Sequence, residues 1–93
     1  MKVTFTWDAA KAATNARKHG VTFAEAVTVF DDSSVLVEGQ DHVGEPRLVA
    51  LGYSSRSRLL LVIFAEVHHE EIRIISARRA EKHERKVYED PSR

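Results

Sequence analysis

Residues 47–77 read RLVALGYSSRSRLLLVIFAEVHHEEIRIISA, and this stretch decides the fold. From Arg47 to Tyr53 the side chains alternate: Leu48, Ala50 and Gly52 face one way, and Arg47, Val49, Leu51 and Tyr53 the other. That is the two-residue period of a strand. Ser54–Ser57 is a polar hairpin loop. Arg58–Glu66 is apolar on both faces, as a central strand is. His68–Glu70 makes the next turn, and Glu71–Ala77 is a further strand. Strands joined by loops this short form an antiparallel meander.

Upstream, Val35–Val37 is a short strand and residues 38–46 a polar loop with two glycines. Val3–Trp7 alternate apolar and polar residues and form a first strand. Asp8 caps a helix that runs to His19, with Ala12, Ala13 and Ala16 as its apolar stripe. Arg17 and Lys18 suit its negative C-terminal dipole, and Gly20 takes the left-handed stop. Thr22 and Glu25 make a capping box, Glu25 reaching back, which opens a short helix to about Phe30. Ala26, Val27 and Phe30 form its buried face, and Asp31–Ser34 breaks it. Trp7 and Phe30 belong to the core. Downstream, a last helix spans roughly Arg78 to Glu89, and Pro91 marks its end. The order β-α-α-β-β-β-β-α, with helices beside a mainly antiparallel sheet, is α+β.

At 93 residues, 43% apolar and 30% charged, the chain is one globular domain over 1–93. It contains no apolar run of about 18 residues or more, so no membrane span is expected. Met1-Lys2-Val3-Thr4 lacks the apolar stretch of a secretory signal, and there is no cysteine. A cytoplasmic location fits. A sheet domain this small leaves little room for a deep small-molecule pocket.

The formal net charge of zero hides a pattern. Residues 1–20 carry four Lys or Arg against Asp8, a net +3. Residues 21–46 carry Glu25, Asp31, Asp32, Glu38, Asp41 and Glu45 with no cation, a net −6. Residues 72–88 carry six cations against Glu81 and Glu84, a net +4. This polarity points to a basic surface for an anion. A plain solvated face explains it equally well.

On a helix, Arg78, Lys82 and Arg85 share one face, and Glu81, Arg85 and Tyr88 a neighbouring one. Arginines where a strand enters a helix would stand near free backbone N–H groups and suit a phosphate. The bland alternative is a solvated helix with a Glu81–Arg85 surface pair. If the anion is RNA, the substrate brings its own nucleophile, the 2′-hydroxyl. Cleavage then needs a base, cations for the phosphate and an acid for the leaving oxygen. His19 and His83 each sit beside basic residues and can do proton transfer near neutrality. Arg47 and Tyr53 project from one strand face, where either could pair with an acid or stack on a base. His68 and His69, with Glu66 and Glu70, match no zinc spacing and read as a turn. No Gly-rich phosphate loop and no nucleophile elbow is present.

Phe5-Thr6-Trp7-Asp8, Lys11, and Asn15 through Ala26 with its Lys18-His19-Gly20-Val21 junction resemble the opening of the BrnT toxin family. The block from Arg47 to Tyr53 with the following Ser-Ser-Arg is similar too. So is the closing run Ile72 to Ala80 with Glu84-Arg85 and Tyr88-Glu89. The blocks fall in the family order over residues 5–89. The resemblance implies a RelE-like α+β fold: a mainly antiparallel sheet with two N-terminal helices and one C-terminal helix. It implies an endoribonuclease toxin of a type II toxin–antitoxin pair that needs no metal or other cofactor and halts translation. It also implies a BrnA-like antitoxin partner, and contact with operator DNA only through that partner. Within the matched blocks, His19, Arg47, Tyr53, Arg78 and Arg79 are the candidate catalytic residues. Lys11, Lys82, Arg85 and Tyr88 are candidates for RNA binding. In this scheme Arg78 and Arg79 hold the phosphate, and His19, or a lysine such as Lys11, is the base. Tyr53 or Tyr88 stacks on or orients the RNA. The rival reading is a catalytically inactive module that pairs with a DNA-binding antitoxin and co-represses transcription. The neutral overall charge favours the rival, since nucleic-acid enzymes are often basic.

Overall fold

The computed structural model describes residues 2–40 and 43–93; Met1, and the Asp41 and His42 of the expected polar loop, lie outside them. The elements are β1 (Thr4–Thr6), α1 (Ala9–His19), α2 (Phe23–Val27), a 3₁₀ turn (Thr28–Asp31), β2 (Leu36–Gln40), β3 (Arg47–Tyr53), β4 (Leu59–His68), β5 (Glu71–Arg79) and α3 (Lys82–Tyr88). The sheet order is β1-β5-β4-β3-β2. The meander β2–β5 is antiparallel, and β1 pairs parallel to β5 at the outer edge. The α+β architecture and the three helices stand as the sequence implies.

One sheet face packs against α1, α2 and the 3₁₀ turn. Val21, Phe23, Ala26 and Val29 there meet Ala50, Leu60, Val62, Phe64, Ile74 and Ala77. Phe30 joins them, its ring 5.3 Å from Phe5 and 5.0 Å from Phe64. On the other face α3 rests beside β3 over Val49, Leu51 and Leu61. Because strand side chains alternate, each strand feeds both layers.

The caps of α1 follow expectation. Asp8 accepts from the Lys11 N–H at 2.9 Å, and Gly20 sits at φ +69°, its N–H donating to the Ala16 carbonyl. The capping box of α2 is only half formed. Thr22 Oγ1 accepts from the Glu25 N–H at 3.1 Å, but the Glu25 carboxylate turns away to Arg58 and Ser54. A carboxylate 6% exposed needs a cation, and a guanidinium fork answers that better than one N–H. The α1 stripe also differs: Ala13 is exposed, and Asn15 is the buried residue. Trp7 is 39% exposed, with only an edge-on contact to Phe23, rather than a core residue.

The polar run Glu38-Gly39-Gln40 is strand, not loop, because it pairs with Val49, Leu48 and Arg47. An edge strand needs backbone partners and no apolar pattern. The largest difference lies at Arg78. β5 continues through Arg79, and α3 begins only at Lys82. Arg78 and Arg79 pair with Leu61 and Leu60, and the Ala80 N–H adds a bond of 2.8 Å to the Leu59 carbonyl. The apolar start of β4 thus draws β5 two residues past its apolar pattern. The real helix start is signalled by Glu81 and Glu84, the Glu84 carboxylate accepting from the Glu81 N–H at 2.8 Å.

Candidate active site

The candidate residues divide between the two faces of the sheet. Leu61 faces α3 and Leu60 lies in the core beneath the N-terminal helices. Arg78, in register with Leu61, therefore points to the α3 side, and Arg79, in register with Leu60, to the other.

On the α3 side, Arg78 is occupied. Its Nη1 and Nη2 donate to the two carboxylate oxygens of Glu84 at 2.8 and 2.7 Å. This pairing holds the Glu84 carboxyl below its ordinary range. Arg85 donates to the Tyr53 hydroxyl at 3.1 Å, and the rings of Tyr53 and Tyr88 meet edge-to-face at 5.3 Å. The Tyr88 hydroxyl donates to Asp32 at 2.6 Å, and Asp32 also accepts from the Tyr53 N–H at 2.8 Å. Burial and the adjacent Asp32 carboxylate push the Tyr88 phenol up. The Arg93 guanidinium lies 4.6 Å from the centre of the Tyr88 ring. Tyr53, Arg85 and Tyr88 are thus brought together as partners of one another and of Asp32, while Arg78 pairs with Glu84. Arg47 shares this strand face but opens β3, six residues and so roughly 20 Å from Tyr53. Lys82 is exposed on the first turn of α3. Arg78, Lys82 and Arg85 do not form one helical stripe, because Arg78 is in the strand.

Along the outer edge of β5, α1 and that strand border an open cleft of about 360 Å³. Lys11, Thr14, Asn15, Lys18 and His19 line its helical wall, and Ile75 and Ser76 the strand wall. The predicted Lys11 and His19 therefore line one cleft, and no carboxylate is among its described lining residues. Lys18 and Ser76, not among the candidate residues read from the sequence, line it with them. Lys11 and Lys18, seven residues apart on one helix, stand about 10 Å apart along its axis. The Arg79 guanidinium, exposed at the end of β5, has no hydrogen bond or ion pair among the described residues.

His69-Glu70 is the turn, but His68, read as part of it, closes β4 as strand, paired with Glu71. Glu81, His83 and Glu84 offer ligand atoms within 4.8 Å of one another at the start of α3. Two of them are exposed, and Glu84 already serves Arg78. Asn15 and Asp32 were also missed by sequence reasoning. Asn15 stands at the stripe position three after Ala12, and Asp32 opens an Asx turn with Ser34, donor to its Oδ1 at 2.9 Å. Among the described residues no helix is long and apolar enough to cross a membrane.

No curated protein matches the chain significantly. A solved structure does: the Brucella abortus ribonuclease toxin BrnT, whose crystal structure superposes with a TM-score of 0.63 at 30% sequence identity. The match covers 88% of this chain and 99% of that one. Residues 7–84 match the family described as ribonuclease toxin, BrnT, of type II toxin–antitoxin system. The chain belongs to the BrnT family of ribonuclease toxins of type II toxin–antitoxin systems.

Proposed function

We propose that this toxin cleaves RNA in the cleft between α1 and β5, without a metal, and is neutralised in the cytoplasm by a BrnA-like antitoxin. The observation that carries the reading is that Lys11, Lys18 and His19 line one open cleft along β5, with no carboxylate among its described lining residues. A polyanion is drawn to such a site, and the cations that neutralise its phosphate are the protein's own. Lys11 and Lys18 track the RNA backbone. His19 takes the proton of the 2′-hydroxyl, and the resulting oxygen attacks the adjacent phosphorus. The bond from phosphorus to the 5′-oxygen breaks, and the Lys18 ammonium protonates the leaving oxygen. The products are a 2′,3′-cyclic phosphate and a free 5′-hydroxyl. Arg79, without a side-chain partner among the described residues, steadies the charge that builds on the phosphate oxygens, while Arg78 holds α3 through Glu84. In this scheme Tyr53, Arg85 and Tyr88 fasten α3 to the sheet and serve the cleft only through the fold. Operator DNA is reached through the antitoxin alone.

The test is expression of the chain by itself in a bacterial host, with growth and total RNA followed together. Growth arrest with RNA breakdown is expected. Arrest should be relieved by the antitoxin encoded beside it, and cleavage by the purified protein should persist in EDTA. Intact RNA and normal growth from folded protein would favour the non-catalytic module instead.

A further inference from the structure

We infer that Asn15 is the positioning residue of this cleft: its carboxamide stands in for a missing strand on β5 and thereby sets where His19 and Lys18 lie. Among the described residues β1 pairs with β5 only at Glu71, Ile72 and Arg73, and no strand flanks the outer edge of β5 beyond Arg73. At Ala77 the exposed backbone pair is met by one side chain. Asn15 Nδ2 donates to the Ala77 carbonyl at 2.8 Å, and Asn15 Oδ1 accepts from the Ala77 N–H at 3.1 Å. The second proton of Nδ2 goes to the Val21 carbonyl at 3.0 Å. One buried amide, 6% exposed, thus ties α1, the segment after its Gly20 stop, and β5 into one unit with all its protons used.

Only a primary carboxamide offers a donor and an acceptor side by side at this reach. Aspartate lacks the donor and would face two carbonyls. Leucine would leave three buried backbone groups unpaired. Glutamine keeps both groups on an arm one methylene longer. His19 lies one helical turn beyond Asn15 and Lys18 three residues beyond, and Asn15 itself lines the cleft. A shift of α1 along β5 therefore moves the base and the ammonium together against Ser76. Asn15 touches no reacting atom, and its effect passes through His19. This inference rests on the proposed chemistry in the cleft.

The test uses the full chain with a fluorogenic single-stranded RNA, comparing Asn15→Gln, Asn15→Asp and His19→Gln. Misplacement of reacting groups by about 1 Å costs about 100-fold in rate. Asn15→Gln should therefore lower kcat per folded molecule about 100-fold and keep KM within about threefold. A merely structural role predicts lost activity in proportion to unfolded protein, with kcat per folded molecule unchanged; that result overturns the inference. So does a folded Asn15→Gln with wild-type kcat while His19→Gln is inactive. If His19→Gln keeps the wild-type rate, the cleft chemistry itself is lost. Should neither Asn15 variant fold, hydrogen exchange on the wild-type protein decides. The Ala77 amide should be as protected as its neighbours facing β4, and exchange like an open edge would refute the strand substitution.

Discussion

Arg78 and Arg79 are chemically identical neighbours, yet the sheet sends them to opposite faces, and their alanine variants should fail in opposite ways. Arg78→Ala removes a two-pronged pair with Glu84, whose side chain is 15% exposed against 32% for Arg78. Hydrogen bonds between charged groups contribute about 1.5–3 kcal/mol when well sheltered. Solvent at the rim of this pair reduces that to roughly 1–2 kcal/mol. For a domain of this length each kcal/mol moves Tm by about 4–8 °C, so a fall of roughly 4–16 °C is expected. Activity per folded molecule should stay within about threefold. Arg79→Ala breaks no pair among the described residues, so its Tm should hold. If its guanidinium faces the phosphate, cleavage should fall by about 100- to 1,000-fold, as loss of one charge-stabilising group does. Thermal unfolding by circular dichroism, with cleavage of a fluorogenic RNA at 20 °C, reads both quantities. An inactive but fully stable Arg78→Ala, or a fully active Arg79→Ala, would refute the two-face assignment of roles.

Gly52→Ala should cost about 1–3 kcal/mol by overpacking. The new methyl would lie 3.0 Å from Val35 Cγ2, 3.2 Å from Asp32 Oδ2 and 3.3 Å from the Val29 carbonyl; urea denaturation gives the value, and a change under about 0.5 kcal/mol would contradict the packing. His19→Gln should lower kcat by about 100-fold or more, with Tm unchanged. Stability should fall in acid. Hydrogen bonds from Arg58 hold the Glu25 carboxyl below its ordinary 4.5, and those from Arg78 do the same for Glu84. The unfolded chain therefore binds these protons first, and stability is complete above about pH 4.5 and lost as pH falls through the lower folded values. Glu25→Gln should flatten that limb in melts taken from pH 7 to pH 3. Asp32→Ala should free the Tyr88 hydroxyl and the Tyr53 N–H together, and loosen α3 more than the rest, visible as faster amide exchange in α3.

How much was legible beforehand follows the range of the forces involved. The strands of the meander, the caps at Asp8, Gly20 and Thr22 and the two N-terminal helices rest on neighbours within a few residues, so their signals are local. That Lys11 and His19 line one cleft was half legible, since eight residues on one helix place them near a common face. The ends of elements were less so. Arg78 and Arg79 look like a helix start in isolation, and only their backbone bonds to β4 make them strand. Glu25 has the spacing of a capping box, but Arg58, thirty-three residues away, and Ser54 draw its carboxylate off. Asn15 has the composition of a solvated helical residue, and its role exists because β1 is too short to cover β5 at Ala77.

The sequence by itself determined the α+β class, the order of elements, the family, and the residue types available for RNA chemistry. These follow from periodicity, capping and block order, which a linear chain carries in full. Only the tertiary structure decided which cations are free. Whether an arginine faces a phosphate or a glutamate depends on strand register, because one residue of slip exchanges the two faces of a sheet. Register is set by long-range pairing with β4, and that pairing separates Arg78 from Arg79 and brings β5 against the helix that bears His19.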